Sequence, residues 1–442
     1  MYEEHVLRLA ARVLHTKKLY DVVCELLIDL KMKKICTGSQ KSKEKGNISI
    51  LLLSPFFYPE PISTGKYNTH LAKALVRKGC SVEVVASHPI YPDWKPKRTT
   101  ASLAGVKIYR GGGFFVYPKS VILRRIQLEL GFTIHALRHV LFNRNSTIFV
   151  PVFPPSLFFL FVRFLIPQSA RKIGIVHDLQ SVLAGLSNSL PRIILSRLIR
   201  SIEKRTFDTC DKLIFVSKSM ASRAISDYGL KPKKVLVRYP FVTLIKTGNG
   251  NALGHLFPSG YKHIVYSGAI GEKQNPNLLL KLFAAIVKKR MDVLCHFFSR
   301  GPMFDELRKG NASEFERVSF HDLVPEKDLF ELYLKSDIQI IPQKEGSSVG
   351  AIPSKLPNIM SAGVPIFAIS DPESELSEII RESGIGYCAD SWNVDKLLIE
   401  MDKFLEKSGR RSHQERQRMV RDFVTRNFEI DQLVQAIIGE HS

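Results

Sequence analysis

The chain has 442 residues, 45% hydrophobic, 24% charged and 10% aromatic. That composition excludes a disordered, collagen-like or disulfide-stapled protein, and the length suits two domains of roughly 100–200 residues. Sixty-four Lys and Arg stand against 42 Asp and Glu, and the formal charge of +22 points to a polyanionic partner. The excess is local: residues 48–240 hold 29 basic and 9 acidic side chains, whereas residues 241–442 hold 25 and 27.

Residues 1–47 read as a helical extension. Val6, Leu9, Val13 and Leu14, then Val22, Val23, Leu26 and Leu30, recur at helical spacing, and the polar run Thr37–Asn47 follows as a linker. Met1–Asp29 lacks an apolar h-region, so no secretory leader is expected. The cysteines at 24, 36, 80, 210, 295 and 388 form no CxxC pair and read as small buried hydrophobes of a reducing cytoplasm.

From Ile48 onward, short apolar runs alternate with helical patterns. Strands are expected at Ile48–Leu53, Val82–Ala86, Val106–Tyr109, Thr147–Val152, Lys172–His177 and Lys212–Val216. Helices are expected near Asn68–Lys78, Ser120–Phe142 and Arg192–Cys210. The stretch Ile148–Pro167 is rich in Phe and Leu, but Pro151, Pro154, Pro155 and Arg163 interrupt it. A spanning helix wants about 20 unbroken apolar residues, so a strand, a Pro turn and a core helix are expected instead. The alternation restarts at His263–Ser267 and continues to Pro365–Ile369. The chain therefore reads as α/β, with two doubly wound Rossmann-like domains at 48–241 and 263–430, a linker at 242–262 and a tail helix at 431–442. Ligands of such sheets bind beyond the carboxyl ends of the strands, and two facing sheets make a cleft.

Three loops suit an anion. Ser54–Tyr67 follows the first strand, with Gly65 opening a helix and Lys66 beside it; the alternative is a plain tight turn. Gly268–Asn275 is the matching turn of the second unit, where Gly268 and Gly271 allow close backbone approach and Lys273 supplies charge. It is neither GxGxxG nor a P-loop. Glu345–Gly363 runs into a helix expected near Ser354, with Lys355 and Asn358 in its first turns; an ordinary Ser N-cap with a solvated Lys fits equally. His177-Asp178 closes a strand and suits a polar site or a structural pair, and Glu378 is either a ribose ligand or a surface carboxylate. There is no Asp-x-Asp, HExxH or GxSxG.

The segments Tyr58-Pro59-Glu60, Thr64-Gly65-Lys66-Tyr67 and Pro89–Trp94 resemble the start of glycosyltransferase family 4. Within it they are most similar to transferases of colanic acid and O-antigen type polysaccharides, N-acetyl-fucosamine transferases included. Tyr266–Leu279, Ser336–Gln343, Pro353–Ile366 and Ser374–Tyr387 extend the resemblance over about residues 47–430.

The resemblance implies the GT-B architecture, with the nucleotide sugar in the second domain and the acceptor in the first. It also implies retention of anomeric configuration and no obligatory metal or other cofactor. Donor residues carried over are Gly65, Lys66, Gly268, Lys273, Glu345, Ser354, Lys355, Asn358 and Glu378, with His177 and Asp178 near the transferred sugar. The family's Glu-x7-Glu element departs here: its second Glu falls on Asn358 and its first on Gly350, unless an insertion places Glu345 there.

The expected function is sugar transfer from a nucleotide sugar, UDP-linked, to a lipid-linked saccharide in surface polysaccharide synthesis. Partners are then the nucleotide sugar, the lipid-linked acceptor and an anionic membrane surface reached through the basic Ser120–Asn145 segment, at the inner face of a cytoplasmic membrane. A nucleotide-sugar epimerase and a non-catalytic nucleotide-sugar-binding protein are the alternatives. Nucleic-acid binding is not expected, because charge alone supports it.

Overall fold

The computed structural model describes residues 48–91, 93–111, 116–180, 190–245, 251–311, 316–347, 350, 352–409 and 411–439. The helical extension expected over 1–47 lies outside the described residues.

Two parallel sheets organise the chain. The first contains β1 (Ser49–Leu53), β2 (Ser81–Ser87), β3 (Val106–Gly111), β4 (Ile148–Phe153), β5 (Arg171–Val176), β6 (Lys212–Phe215) and β7 (Val235–Val237). Its seven strands lie in the order β3-β2-β1-β4-β5-β6-β7. The second contains β8 (Lys262–Ser267), β9 (Val293–Ser299), β10 (Val318–Asp322), β11 (Ile338–Pro342), β12 (Ile366–Ile369) and β13 (Gly386–Ala389). Its six strands lie in the order β10-β9-β8-β11-β12-β13. Every residue of β4 and β11 is buried, which is why β4 reads as an unbroken apolar run and β11 as one broken only by the buried Gln339.

Helices cover both faces. On the first sheet they are α1 (Ser63–Arg77), α2 (Val121–Phe142), α3 (Leu157–Val162), α4 (Leu190–Thr209) and α5 (Lys218–Tyr228). On the second they are α6 (Pro276–Lys289), α7 (Pro302–Asn311), α8 (Leu329–Lys335), α9 (Leu356–Ser361), α10 (Glu375–Ser383), α11 (Val394–Ser408) and α12 (His413–Phe428). Strand order reverses between β1 and β4 and again between β8 and β11. The loops after these strands therefore open apart and leave a crevice at each switch point. The three anion-suited loops all border these two crevices.

Three local outcomes carry physical information. Helix α1 starts at Ser63, five residues before the expected Asn68. A Cβ on Gly65 would lie 3.0 Å from the Glu60 carbonyl oxygen, so glycine lets the first turn rest on the preceding loop. The phenylalanine-rich Ile148–Pro167 stretch becomes buried strand β4, a Pro turn and the buried helix α3. Among the described residues no helix is long and apolar enough to cross a membrane.

The last helix, α13 (Ile430–Ile438), leaves the second sheet and packs on α1 of the first. Leu433, Val434 and Ile437 enter the same core cluster as Ile50, Leu71 and Leu75. Lys78 pairs with Asp431 at 2.9 Å, and Arg171 Nη1 donates to the Ile438 carbonyl at 3.0 Å. The tail expected over 431–442 is, up to Gly439, a cover on the first domain. Truncating a fully buried Leu removes its transfer free energy and leaves a cavity. Leu433→Ala should therefore lower stability by about 2–5 kcal/mol, read as an earlier unfolding transition in urea followed by tryptophan fluorescence and circular dichroism.

Candidate active site

Two cavities lie end to end between the sheets. One, about 350 Å³, is lined from the second domain by Tyr266, Gly268, Lys273, Ser354 and Lys355, and from the first by Asp178. The other, about 740 Å³, belongs mainly to the first domain, with Trp94, Arg124, Arg125, Glu129 and His177 in its wall. Asp178, Ile352 and Ser354 line both, so the cavities meet there.

The smaller cavity is built around the turn after β8. Gly268 has φ +134°, a backbone conformation that other residues rarely adopt, and it brings the turn over the end of β8. Lys273 follows in a single turn of 3₁₀ helix, whose carbonyl accepts the Lys344 N–H at 2.8 Å. Lys355 lies beneath this turn. Its Nζ donates to the Ser267 carbonyl at 3.0 Å and sits 3.9 Å from the centroid of the Tyr266 ring. Burial without an acidic partner pushes its pKa down to about 7.

The junction carries the strand-end pair. His177 stacks edge-on against Tyr67 with ring centroids 4.6 Å apart, and its buried Nε2 has no hydrogen-bond partner among the described residues. Desolvation lowers its pKa to about 4, so the ring is neutral near pH 7. Asp178 Oδ1 accepts the Leu179 N–H at 2.9 Å. Burial raises its pKa, while Lys273 across the cleft pulls it back down.

Gly268, Lys273, Ser354, Lys355, His177 and Asp178 are thus brought together, and five other expected site residues are not. Lys66 is half exposed and pairs with Glu326 of the second domain at 3.4 Å, as does His70. Gly65 is a packing glycine, as described above. Glu345 lies exposed in a turn outside both cavity walls. Glu378 pairs with Lys218 at 3.1 Å on the outside of the domain junction. Asn358 is buried, but its Oδ1 accepts the N–H groups of Thr243 and Leu244 at 2.8 and 3.1 Å, and its Nδ2 donates to Thr243 Oγ1 at 3.1 Å. Its carbonyl oxygen and one amide N–H thus hold the interdomain linker.

Residues that the motifs did not single out also shape the site. Glu375, three positions before Glu378, is buried and accepts the N–H groups of Lys218 and Ser219 at 2.7 and 3.4 Å, capping α5 from the other domain. Glu129 accepts the N–H groups of Ser156 and Leu157 and the Gln180 amide. A single carboxylate in an otherwise basic helix was the only sequence signal of Glu129's special place.

Lys355 gives this site a pH signature. Its folded pKa of about 7 lies below the ordinary value of 10.5, so between these limits the unfolded chain binds a proton that the folded chain does not. Stability relative to Lys355→Met should rise with pH from about 7 to about 10 and be lost as pH falls through 7. Paired urea titrations at pH 6, 7, 8 and 9 would show it.

The site geometry agrees with sequence comparison. Residues 64–245 match the family model Glycosyltransferase Family 4, and residues 254–421 match Glycosyl transferases group 1. The putative colanic acid biosynthesis glycosyl transferase WcaI of Escherichia coli K12 is 23% identical over 375 residues, covering 79% of this chain and 90% of that protein. The crystal structure of WaaG, a glycosyltransferase involved in lipopolysaccharide biosynthesis, superposes with a TM-score of 0.65 at 13% identity, covering 89% of this chain and all of that one. A putative UDP-N-acetylglucosamine 2-epimerase from Listeria monocytogenes shares the fold with a TM-score of 0.53 at 12% identity over 85% of this chain and 90% of its own. Fold alone therefore does not separate transfer from epimerisation. The two consecutive family matches, one on each domain, do: the chain belongs to glycosyltransferase family 4, with the GT-B architecture of two facing Rossmann-like domains.

Proposed function

We propose that this protein moves a sugar from a UDP-linked donor to a lipid-linked saccharide, with retention of configuration, in surface polysaccharide synthesis. The observation that carries the reading is the meeting of a lysine-lined cavity and a larger acceptor-sized cavity at Asp178 and Ser354. The family assignment and the colanic acid relative support the polysaccharide context.

In this reading the diphosphate lies against Gly268, Lys273 and Lys355. The bond between the sugar C1 and the phosphate oxygen breaks, a bond from C1 to the acceptor oxygen forms on the same face, and the acceptor proton passes to the departing phosphate. Negative charge grows on the diphosphate, where fixed cations stabilise it without reorganising. Lys355, poised between its two protonation states, becomes the charged form when an anion is seated beside it. Asp178 sits where positive charge develops at C1, and neutral His177 offers a ring nitrogen to a sugar hydroxyl. A sugar of the N-acetylated or deoxy hexose type fits the resemblance noted in the sequence. Removing one preorganised charge-stabilising group costs about 10²–10³ in turnover in comparable sites. Lys273→Ala should lower transfer by a factor of that order and weaken UDP binding, measured by product formation and by calorimetry. Unchanged values of both would remove Lys273 from the site.

The membrane part of the reading rests on α2. Leu128, Phe132, Ala136 and Val140 face the core at four-residue spacing. Leu130, Ile134 and Phe142 face outward, 49%, 70% and 64% exposed, with exposed Arg138 among them. Arg124 and Arg125, expected on the membrane face, turn into the larger cavity instead. An apolar stripe edged by a basic residue suits insertion at an acidic bilayer surface. Ile134→Asp should reduce sedimentation with acidic vesicles severalfold, whereas neutral vesicles should bind weakly throughout. Equal binding of the variant and wild type would reject the stripe.

A further inference from the structure

The cavity of the first domain holds two guanidinium groups that the donor reading does not use. Arg124 and Arg125 lie near the start of α2, and both line the cavity of about 740 Å³. Arg124 Cζ stands 4.0 Å from the centroid of the Trp94 ring, which lines the same space. Neither arginine forms an ion pair or a side-chain hydrogen bond among the described residues. Two carboxylates share their wall, and each accepts other hydrogen bonds: Glu129 from two backbone N–H groups, at 3.1 and 2.9 Å, and from the Gln180 amide at 3.2 Å, and Asp178 from the Leu179 N–H at 2.9 Å. Both guanidinium groups therefore keep their donors open toward the cavity, beside the carboxylates of Glu129 and Asp178.

The same helix presents its apolar stripe outward, beginning at Leu130. Six residues separate Leu130 from Arg124, roughly 9 Å along the axis at 1.5 Å per residue. The stripe and the arginines thus lie within about two turns of each other along the helix, on different faces of it. Adjacent guanidinium forks match the paired oxygens of a diphosphate better than they match a neutral sugar, and an indole face takes the apolar side of a sugar ring.

We propose that Trp94, Arg124 and Arg125 form an acceptor subsite, in which the arginines hold the diphosphate joining saccharide to lipid and Trp94 stacks on the adjoining sugar. This rests on the lipid-linked acceptor proposed above and names the group of it that the protein reads. It also separates the two diphosphates of the reaction: one lies on the lysines of the second domain, the other on the arginines of the first.

The test is calorimetry on the full chain with geranylgeranyl diphosphate in neutral detergent, with geranylgeraniol, glucuronic acid and UDP as companion ligands. Wild type should bind the prenyl diphosphate at least tenfold more tightly than the prenyl alcohol. Arg124→Ala/Arg125→Ala should weaken that binding at least tenfold and leave UDP binding unchanged, which also shows that the variant folds. Lys273→Ala should leave prenyl diphosphate binding unchanged. Insensitivity to loss of both arginines would overturn the proposal, as would equal binding of the alcohol. A loss with Lys273→Ala would place the ligand in the donor cavity and overturn it too. Glucuronic acid binding as tightly through the arginines would reassign them to a carboxylate. If UDP fails to bind wild type while the prenyl diphosphate binds through the arginines, the donor reading falls and this subsite stands.

Discussion

A two-domain transferase works only if the carboxyl ends of its sheets face each other at a fixed separation, and here a small set of polar contacts across the interface sets that separation. The buried carboxylate of Glu375 takes the free N–H groups at the start of α5, so the second domain completes the first turn of a helix in the first. Those N–H groups have no intrahelical partner, and leaving them dry would cost about as much as losing a hydrogen bond. The Ser217 hydroxyl donates to the Gly350 carbonyl beside them. On the far side of α1, Lys66 and His70 meet Glu326, whose carboxyl is held down to about 2 by the His70 hydrogen bond and the nearby Lys66 charge. With these contacts made, Asp178 and Lys273 line one cavity from opposite domains.

The covalent connection is arranged to preserve this geometry. The chain crosses between sheets twice, after β7 and after α12, and the crossings are tied together by the Val242 N–H to Phe428 carbonyl bond at 2.9 Å. Tyr239 and Phe428 pack with centroids 5.7 Å apart at the same place. Asn358 fastens the outgoing crossing by two backbone N–H groups, and α13 then anchors the returning chain in the first core.

Much of this architecture is legible in the sequence, because period and burial are local properties. The apolar runs Ile50–Leu53 and Ile148–Phe153 announce parallel strands, and glycine at 268 announces a turn at a strand end. The site is legible only where a motif residue acts on its own loop, as Lys273 does. It is not legible where a side chain has a partner far along the chain. Asn358 stands at a donor position by motif alignment, and its partners are 114 and 115 residues away in the linker. Glu378 and Glu375 are equally plausible in sequence; both meet Lys218 of the first domain, Glu375 at its backbone N–H and Glu378 at its exposed ammonium, which only the orientation of α10 reveals. Lys66 looks like a phosphate ligand in sequence, which gives no sign of Glu326 beside it from the other domain.

The charge distribution follows the same logic of facing. A net excess of basic residues over 48–240 does not say which of them meet solvent, and α2 shows that the distinction matters. Its period places Phe132 and Val140 on the sheet, Ile134 and Phe142 in solvent, and its two adjacent arginines into the cavity. Inside that cavity the dielectric is lower and screening is weaker than at the surface, so each guanidinium acts over a longer range. Exposed Arg138, by contrast, is screened within about 10 Å at 0.1 M salt. One helix therefore divides its work by face: apolar contact and a weakly held cation outside, cavity-lining charge inside, with the half-buried Glu129 fixed between them by the start of α3.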